Sequence, residues 1–143
     1  MNILVLNCGS SSLKFQIIET DLDVIEKDAD VQKAKGLIER IGSQSLISFQ
    51  ATGQPAMKAA IALRDHRAAL DYVIRWIISS ESQVPGIRSL ADIHAVGHRV
   101  VHGAEKFTKS LVIDETVIRG IEDCIDLAPL HNPANLKGIY AAR

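Results

Sequence analysis

Two short apolar runs near the N-terminus, separated by a polar segment, constrain the fold of this chain more than any other feature. Residues 3–6 read ILVL, residues 15–18 read FQII, and the segment between them, residues 7–14, reads NCGSSSLK. Two strand-like runs joined by glycine and serine are typical of a β-hairpin. The sequence therefore predicts that the chain begins with a hairpin whose turn carries one glycine, three hydroxyl groups and a lysine.

The composition of this turn favours an anion as its ligand. Backbone N–H groups and serine hydroxyls can donate hydrogen bonds, and Lys14 adds a positive charge. The segment is not a Walker loop, because it has no second glycine before the lysine and leads into a strand instead of a helix. We expect a hairpin turn that binds phosphate. The alternative is an ordinary serine-rich turn without a ligand.

Later segments predict two more strands. Residues 45–50 alternate between apolar and polar side chains, and residues 93–101 form a further strand-like run. Residues 20–23 are expected to form a polar turn, and residues 27–34 are charged and weakly patterned. A hairpin followed by helix, strand and helix predicts an α/β domain with a mixed sheet and flanking helices.

Three helices are expected in the second half of the chain. The clearest runs from Asp65 to about residue 80, because its apolar residues recur at helical spacing and Asp65 can cap it. A second helix should follow the capping residue Asp114 and end at Pro129. A third should start with Asn132 as its cap and a proline at its first position.

Length and composition describe about one globular domain. The chain has 143 residues, 47% of them hydrophobic and 23% charged, with a net charge of −1. This charge gives no reason to expect nucleic acid or an anionic membrane as a partner. No apolar run approaches the ~20 residues of a membrane span, and no secretory signal is evident. Cys8 and Cys124 are expected to be reduced structural thiols of a cytoplasmic protein, with a lowered pKa of Cys8 as the alternative.

The remaining histidines predict no metal site. His98 and His102 would lie ~13 Å apart along a strand, too far to share one ion. His66 and His94 belong to no recognisable group.

Two further segments strengthen the interpretation of the hairpin. Residues 97–103 read GHRVVHG, and residues 126–135 read DLAPLHNPAN. Together with the hairpin turn, and in this order, they resemble the acetate kinase family, which also includes propionate and butyrate kinases. The resemblance covers the whole chain. It implies that residues 1–143 are an N-terminal domain of the actin-like, sugar kinase and heat-shock chaperone ATPase type (ribonuclease H-like), and that a C-terminal nucleotide-binding domain lies outside this chain.

Substrate recognition is expected from residues 97–103. An arginine beside a β-branched residue suits a short carboxylic acid, because the guanidinium binds the carboxylate and the valine contacts the alkyl end. In a strand, Arg99 and Val101 would point to the same side. The resemblance implies that Arg99 binds the substrate and that Val101 and Leu130 line its methyl pocket. Without the resemblance, Arg99 would be taken for a surface residue paired with an acid.

The resemblance also implies the groups that handle the phosphoryl group. Ser10, Ser12 and Lys14 would bind phosphoryl oxygens, and Asn7 would position Mg²⁺ through water. His131 precedes the expected start of a helix, where free N–H groups favour an anion. The family places the matching histidine close to the transferring phosphoryl group. The alternative is a histidine fixed by its own helix cap.

The implied reaction transfers the γ-phosphoryl group of ATP to acetate, giving acetyl phosphate and ADP, and runs in reverse. The resemblance further implies Mg²⁺ as the cofactor, ATP or ADP as one substrate and acetate or acetyl phosphate as the other. It also implies that the whole protein is a homodimer. Ala104 stands where the family commonly has a glycine. Further catalytic residues of the family lie beyond Arg143, so this chain alone is expected to be inactive. Three alternatives remain: a propionate or butyrate kinase, a non-catalytic anion-binding fragment, and an ATPase of the chaperone or sugar kinase branch.

Overall fold

A mixed sheet of six strands forms the centre of the computed structural model, which describes residues 1–103 and 107–143. The strands lie in the order β5-β4-β3-β2-β1-β6. Neighbours from β1 to β5 are antiparallel, whereas β6 pairs in parallel with β1. The strands are β1 (Asn2–Cys8), β2 (Leu13–Glu19), β3 (Val31–Glu39), β4 (Gln44–Ala51), β5 (Met57–Ala62) and β6 (Ala95–His98).

Aspartates begin three of the helices. Asp21, Asp65 and Asp114 each accept a hydrogen bond from the backbone N–H three residues later, which satisfies a donor that the first helical turn leaves free. The described helices are α1 (Leu22–Glu26), α2 (His66–Ile77), α3 (Glu115–Glu122) and α4 (Asn132–Ala142), with 3₁₀ turns at Leu90–Asp92 and Ile125–Leu127. In the described part of the chain, no helix has the length and apolarity needed to cross a membrane.

The main core lies between one face of the sheet and α2. Alternate residues of β1 and β2 are buried there, and the apolar stripe of α2 packs against them. Phe15 and Phe49 meet edge to face with ring centroids 5.0 Å apart, and the half-buried Trp76 contacts both rings at a steep angle, 61° to Phe15 and 59° to Phe49. The opposite face of the hairpin carries the intervening residues of each strand, so it is free to contribute to a site.

The structure confirms the main predictions about fold class. The N-terminal hairpin, the strand at residues 45–50 and the helix capped by Asp65 are all present. The sheet is mixed and has flanking helices, as expected. Ala104 lies outside the described residues.

Several boundaries differ from those expected. The weakly patterned residues 27–34 contain the start of β3, β5 was not predicted, and residues 20–23 begin α1. The strand predicted to reach residue 101 ends at His98, and α3 ends at Glu122, well before Pro129. The cap of α4 is His131, because the side chain of Asn132 turns inward.

We predict that Gly36→Ala destabilises the fold. A Cβ at Gly36 would lie 2.5 Å from Phe49 Cδ1 and 2.7 Å from Phe15 Cζ, inside the aromatic cluster. Such overpacking should lower the free energy of unfolding by about 1–3 kcal/mol, as measured by urea unfolding. The matched control is Gly97→Ala, because nothing lies within 4 Å of the added atom. Equal stability of the two variants would contradict the packing described here.

Candidate functional site

The candidate site lies where β1 and β6 end. Because the two strands are parallel, their carboxyl ends meet at the same edge of the sheet, where α/β folds commonly bind ligands. The turn between β1 and β2 starts at this edge, and Arg99 follows β6 directly. The backbone N–H of Arg99 donates to the carbonyl of Leu6 at 3.0 Å, which continues the pairing one residue beyond β6.

The turn of the hairpin spans residues 9–12, and its carbonyl groups accept the hydrogen bonds that hold it in place. Gly9 donates its N–H to the carbonyl of Ser12 at 2.9 Å, and the carbonyl of Ser11 accepts from Ile41. His66, buried at the start of α2, donates from Nε2 to the carbonyl of Gly9 at 2.7 Å. The turn is therefore held from two sides by residues distant in sequence.

Three of the predicted site residues line one cavity of about 460 Å³. Asn7, Lys14 and Arg99 surround it, together with Lys35 of β3. Asn7 and Lys14 are directly opposite each other in the hairpin register. None of its lining residues within 1–103 and 107–143 is acidic, so three cationic side chains face this space without a lining carboxylate. The cavity is suited to an anion.

The other predicted site residues lie outside the lining of this cavity. Ser10 is exposed and Ser12 half-buried in the turn, with their hydroxyls at the same end of the hairpin. Val101 and Leu130 are 39% and 76% exposed, so in the described ranges no closed pocket for an alkyl group is formed. His131 is exposed at the start of α4, and its side chain makes no cap hydrogen bond. The alternative of a histidine fixed by its own cap is therefore wrong.

The reasoning that put Arg99 and Val101 on one strand face is wrong, because β6 ends at His98. Beyond that point, side chains from α4 replace the strand ladder. Val101 donates its backbone N–H to Oδ1 of Asn135 at 3.0 Å. This contact was not predicted, and its local signal is a pair of asparagines, Asn132 and Asn135, at helical spacing.

Two side chains beneath the site have shifted pKa values. Burial raises the pKa of the Cys8 thiol to about 11, so the alternative of an activated cysteine is wrong. Burial lowers the pKa of His98 to about 4, so this histidine is neutral at pH 7. Both residues lie under α4 and not in the cationic cavity.

The described residues supply little for a metal ion. No group of three or more histidine, cysteine, aspartate or glutamate side chains in 1–103 and 107–143 could hold one. The amide oxygen of Asn7 is a suitable ligand for Mg²⁺, but it stands among cations. These residues fit Mg²⁺ only when it arrives with phosphate oxygens and water as its other ligands.

The mixed sheet with flanking helices, together with its likeness to a solved acetate kinase, places this α/β domain in the actin-like ATPase class. The family model described as the acetokinase family matches residues 2–143, and the chain belongs to this family. Family membership removes the chaperone and sugar kinase branch as an alternative.

The chain is similar to three proteins in particular. It is 59% identical over 143 residues to an acetate kinase of Solibacter usitatus, covering all of this chain and 34% of that protein. The crystal structure of Porphyromonas gingivalis acetate kinase matches 98% of this chain and 33% of that one, with a TM-score of 0.88 and 37% identity. A propionate kinase from Francisella tularensis matches 99% of this chain and 33% of its own, with a TM-score of 0.81 and 32% identity. The chain thus spans about one third of the length of these relatives.

We predict that His98 makes stability depend on pH. Between about pH 6.5 and pH 4 the unfolded chain binds a proton at His98 that the folded chain does not, so the free energy of unfolding falls as the pH falls. The loss should be about 1–3 kcal/mol, reduced from the full shift because the ring is partly exposed. Urea unfolding of wild type and His98→Gln across this range isolates the contribution. Parallel pH profiles for the two proteins would contradict it.

Proposed function

We propose that this chain is the N-terminal third of an acetate kinase, which transfers the γ-phosphoryl group of ATP to acetate and catalyses the reverse reaction. Residues 1–143 would supply the phosphate-binding hairpin and the arginine that binds acetate. The remaining two thirds of the family's length would supply the nucleotide-binding domain. A cytoplasmic location and a homodimeric whole protein stay predictions.

The observation that carries this proposal is the shared cavity of Asn7, Lys14 and Arg99. Phosphoryl transfer to a carboxylate brings two anions together, so its main physical demand is to offset charge and to align the reactants. The ammonium group of Lys14 on the hairpin and the planar guanidinium of Arg99, which follows the neighbouring strand β6, meet that demand. Acetate is already ionised, so no strong base is required to generate the nucleophile.

The other predicted residues have roles that depend on the completed protein. Ser10 and Ser12 would donate to phosphoryl oxygens from the turn, and His131 would donate to the transferring group from the start of α4. Val101 and Leu130 would contact the methyl group once further residues close around them. Mg²⁺ would be held by ATP oxygens and water with Asn7 beside it, and would offset phosphate charge when bound.

Propionate or butyrate kinase is the alternative within the family. The likeness to a propionate kinase supports it, and the exposed side chains of Val101 and Leu130 leave room for an acid longer than acetate. One methylene changes selectivity by only ~1–3 kcal/mol, so the acids should be compared directly. A non-catalytic anion-binding fragment is the second alternative. A reading frame that continues past Arg143 would exclude it.

We predict that the chain is active when its missing length is restored. The chain is joined after Arg143 to the remaining two thirds of the Solibacter usitatus relative, and acyl phosphate is trapped with hydroxylamine. Acetate and ATP should give acyl hydroxamate, more readily than propionate or butyrate. Arg99→Ala should raise KM for acetate about 10- to 100-fold, because a charge-assisted bidentate contact is lost.

Arg75→Ala is the matched control. Arg75 is exposed on α2, which covers the opposite face of the sheet. It should leave KM unchanged. Absence of hydroxamate from any of the three acids would overturn the proposed activity. An active protein whose KM is unaffected by Arg99→Ala would overturn the role of the arginine alone.

A further inference from the structure

Two buried asparagines in the first turns of α4 reach both segments of the candidate site. Asn132 and Asn135 are 0% and 2% exposed, although asparagine is a residue type that usually lies at the surface. They are three positions apart on one helix and therefore share a face. A buried amide is costly unless its donors and acceptor are satisfied, so the partners of these side chains indicate what the structure requires of them.

Asn135 connects the end of β1 to the segment after β6. Its Oδ1 accepts from the N–H of Val101 at 3.0 Å, and its Nδ2 donates to the carbonyl of Cys8 at 2.8 Å. Cys8 is followed directly by the phosphate-binding turn, and Val101 is two residues beyond Arg99. One side chain thus bridges the two backbone segments that carry the predicted phosphate and acid ligands.

Asn132 holds the next peptide of the same segment. Its Oδ1 accepts from the N–H of His102 at 3.3 Å, and its Nδ2 donates to the carbonyl of His102 at 2.9 Å. The same Nδ2 also lies 3.4 Å from the carbonyl of Cys124, after α3. The N–H of Val101 and both backbone groups of His102 are therefore satisfied by helix side chains after the strand has ended.

Close packing of α4 against the end of β1 sets the distance that the side chain of Asn135 has to bridge. A Cβ at Gly138 would lie 3.1 Å from Cys8 Cβ and closer still to its Sγ, so α4 rests directly on the end of β1. Gly138 is three positions after Asn135 and on the same face of the helix. The backbone contact at Gly138 and the amide bridge at Asn135 thus fix the helix, the hairpin and the segment after β6 relative to one another.

We propose that Asn135 is a positioning residue that fixes Arg99 relative to the phosphate-binding turn, with Asn132 holding the adjacent peptide. Asn135 acts through the backbone and touches no reacting atom. The inference rests on the proposed function, because it assumes that Arg99 and the turn act on the same reactants. A displacement of a positioned group by about 1 Å can lower a rate about 100-fold, so a contact of this kind matters for catalysis.

The bridge requires one acceptor and one donor from the same side chain. An ionised aspartate at position 135 would still accept from Val101, but it would present a carboxylate oxygen to the carbonyl of Cys8 in place of a donor. An alanine would remove both hydrogen bonds. Asn135→Asp therefore tests the link to the hairpin with almost no change of shape, and Asn135→Ala tests the whole bridge.

The experiment uses the joined protein described above, at a temperature where each variant is folded by circular dichroism. In Asn135→Asp and Asn135→Ala, kcat/KM for acetate should fall about 100-fold per folded molecule. Combined with Arg99→Ala, the same substitutions should cost much less, because an arginine that is absent cannot be misplaced. Unchanged kcat/KM, or fully additive losses, would show that Asn135 is only structural.

Asn2→Ala is the matched control. Asn2 is also buried at 7% exposure and also bridges two segments, accepting from Lys33 Nζ and donating to the carbonyl of Asp92. It lies at the opposite end of β1 from the site. This variant should lose stability and keep kcat/KM. An equal loss of kcat/KM in Asn2→Ala would mean that destabilisation alone explains the effect of Asn135, which would overturn the proposal.

Amide hydrogen exchange tests, without any assay of activity, whether Asn135 and Asn132 hold the backbone of residues 101 and 102. The N–H groups of Val101 and His102 should be protected in the joined wild-type protein to the same degree as amides of β1. Protection at Val101 should be lost in Asn135→Ala and kept in Asn2→Ala. Fast exchange at both amides in the wild type would overturn the proposal even if the variants do not fold. Absence of acyl phosphate with protected amides would instead count against the proposed function.

Discussion

The position of β1 in the sheet is the constraint on which the candidate site depends. β1 pairs antiparallel with β2 and parallel with β6, so a single strand brings both the hairpin turn and the residue after β6 to one edge. Neither pairing alone would do this. Alternation along β1 and β2 then buries one set of residues, such as Leu6 and Phe15, beneath the helices and places Asn7 and Lys14 on the opposite face.

Beyond the end of β6, buried asparagine side chains take over the hydrogen bonding that the sheet provides up to that point. β6 is short and its last residues have no strand to pair with on the far side, so the backbone beyond it requires other partners. Asn132 and Asn135 provide them from α4. In the described residues, every buried side-chain nitrogen or oxygen has a hydrogen-bond partner. The polar network under the site is thus complete, which is the condition for a buried network to specify one geometry.

The hairpin and α2 could be predicted because their signals are local: strong β propensity around a turn, and an apolar stripe behind a capping aspartate. β3 was missed because its first residues are mostly polar or charged and a register shift opposite Ile17 and Ile18 breaks its alternation. β5 was missed because it is an alanine-rich edge strand. Asn7, Lys14 and Arg99 were expected at one site from motifs and the family resemblance, whereas Lys35, which also lines the cavity, was not predicted. The contact of His66 with the turn and the bridge made by Asn135 join residues 57 and 127 positions apart, which no local pattern encodes.

The most direct test is a crystal structure of the joined protein with acetyl phosphate. The account predicts that the ligand lies in the cavity of Asn7, Lys14 and Arg99, with its phosphoryl oxygens on Lys14 and the turn and its acyl end beside Arg99. A ligand bound by one of these cations without the other, or bound away from both, would contradict the claim that the hairpin and the segment after β6 form a single site.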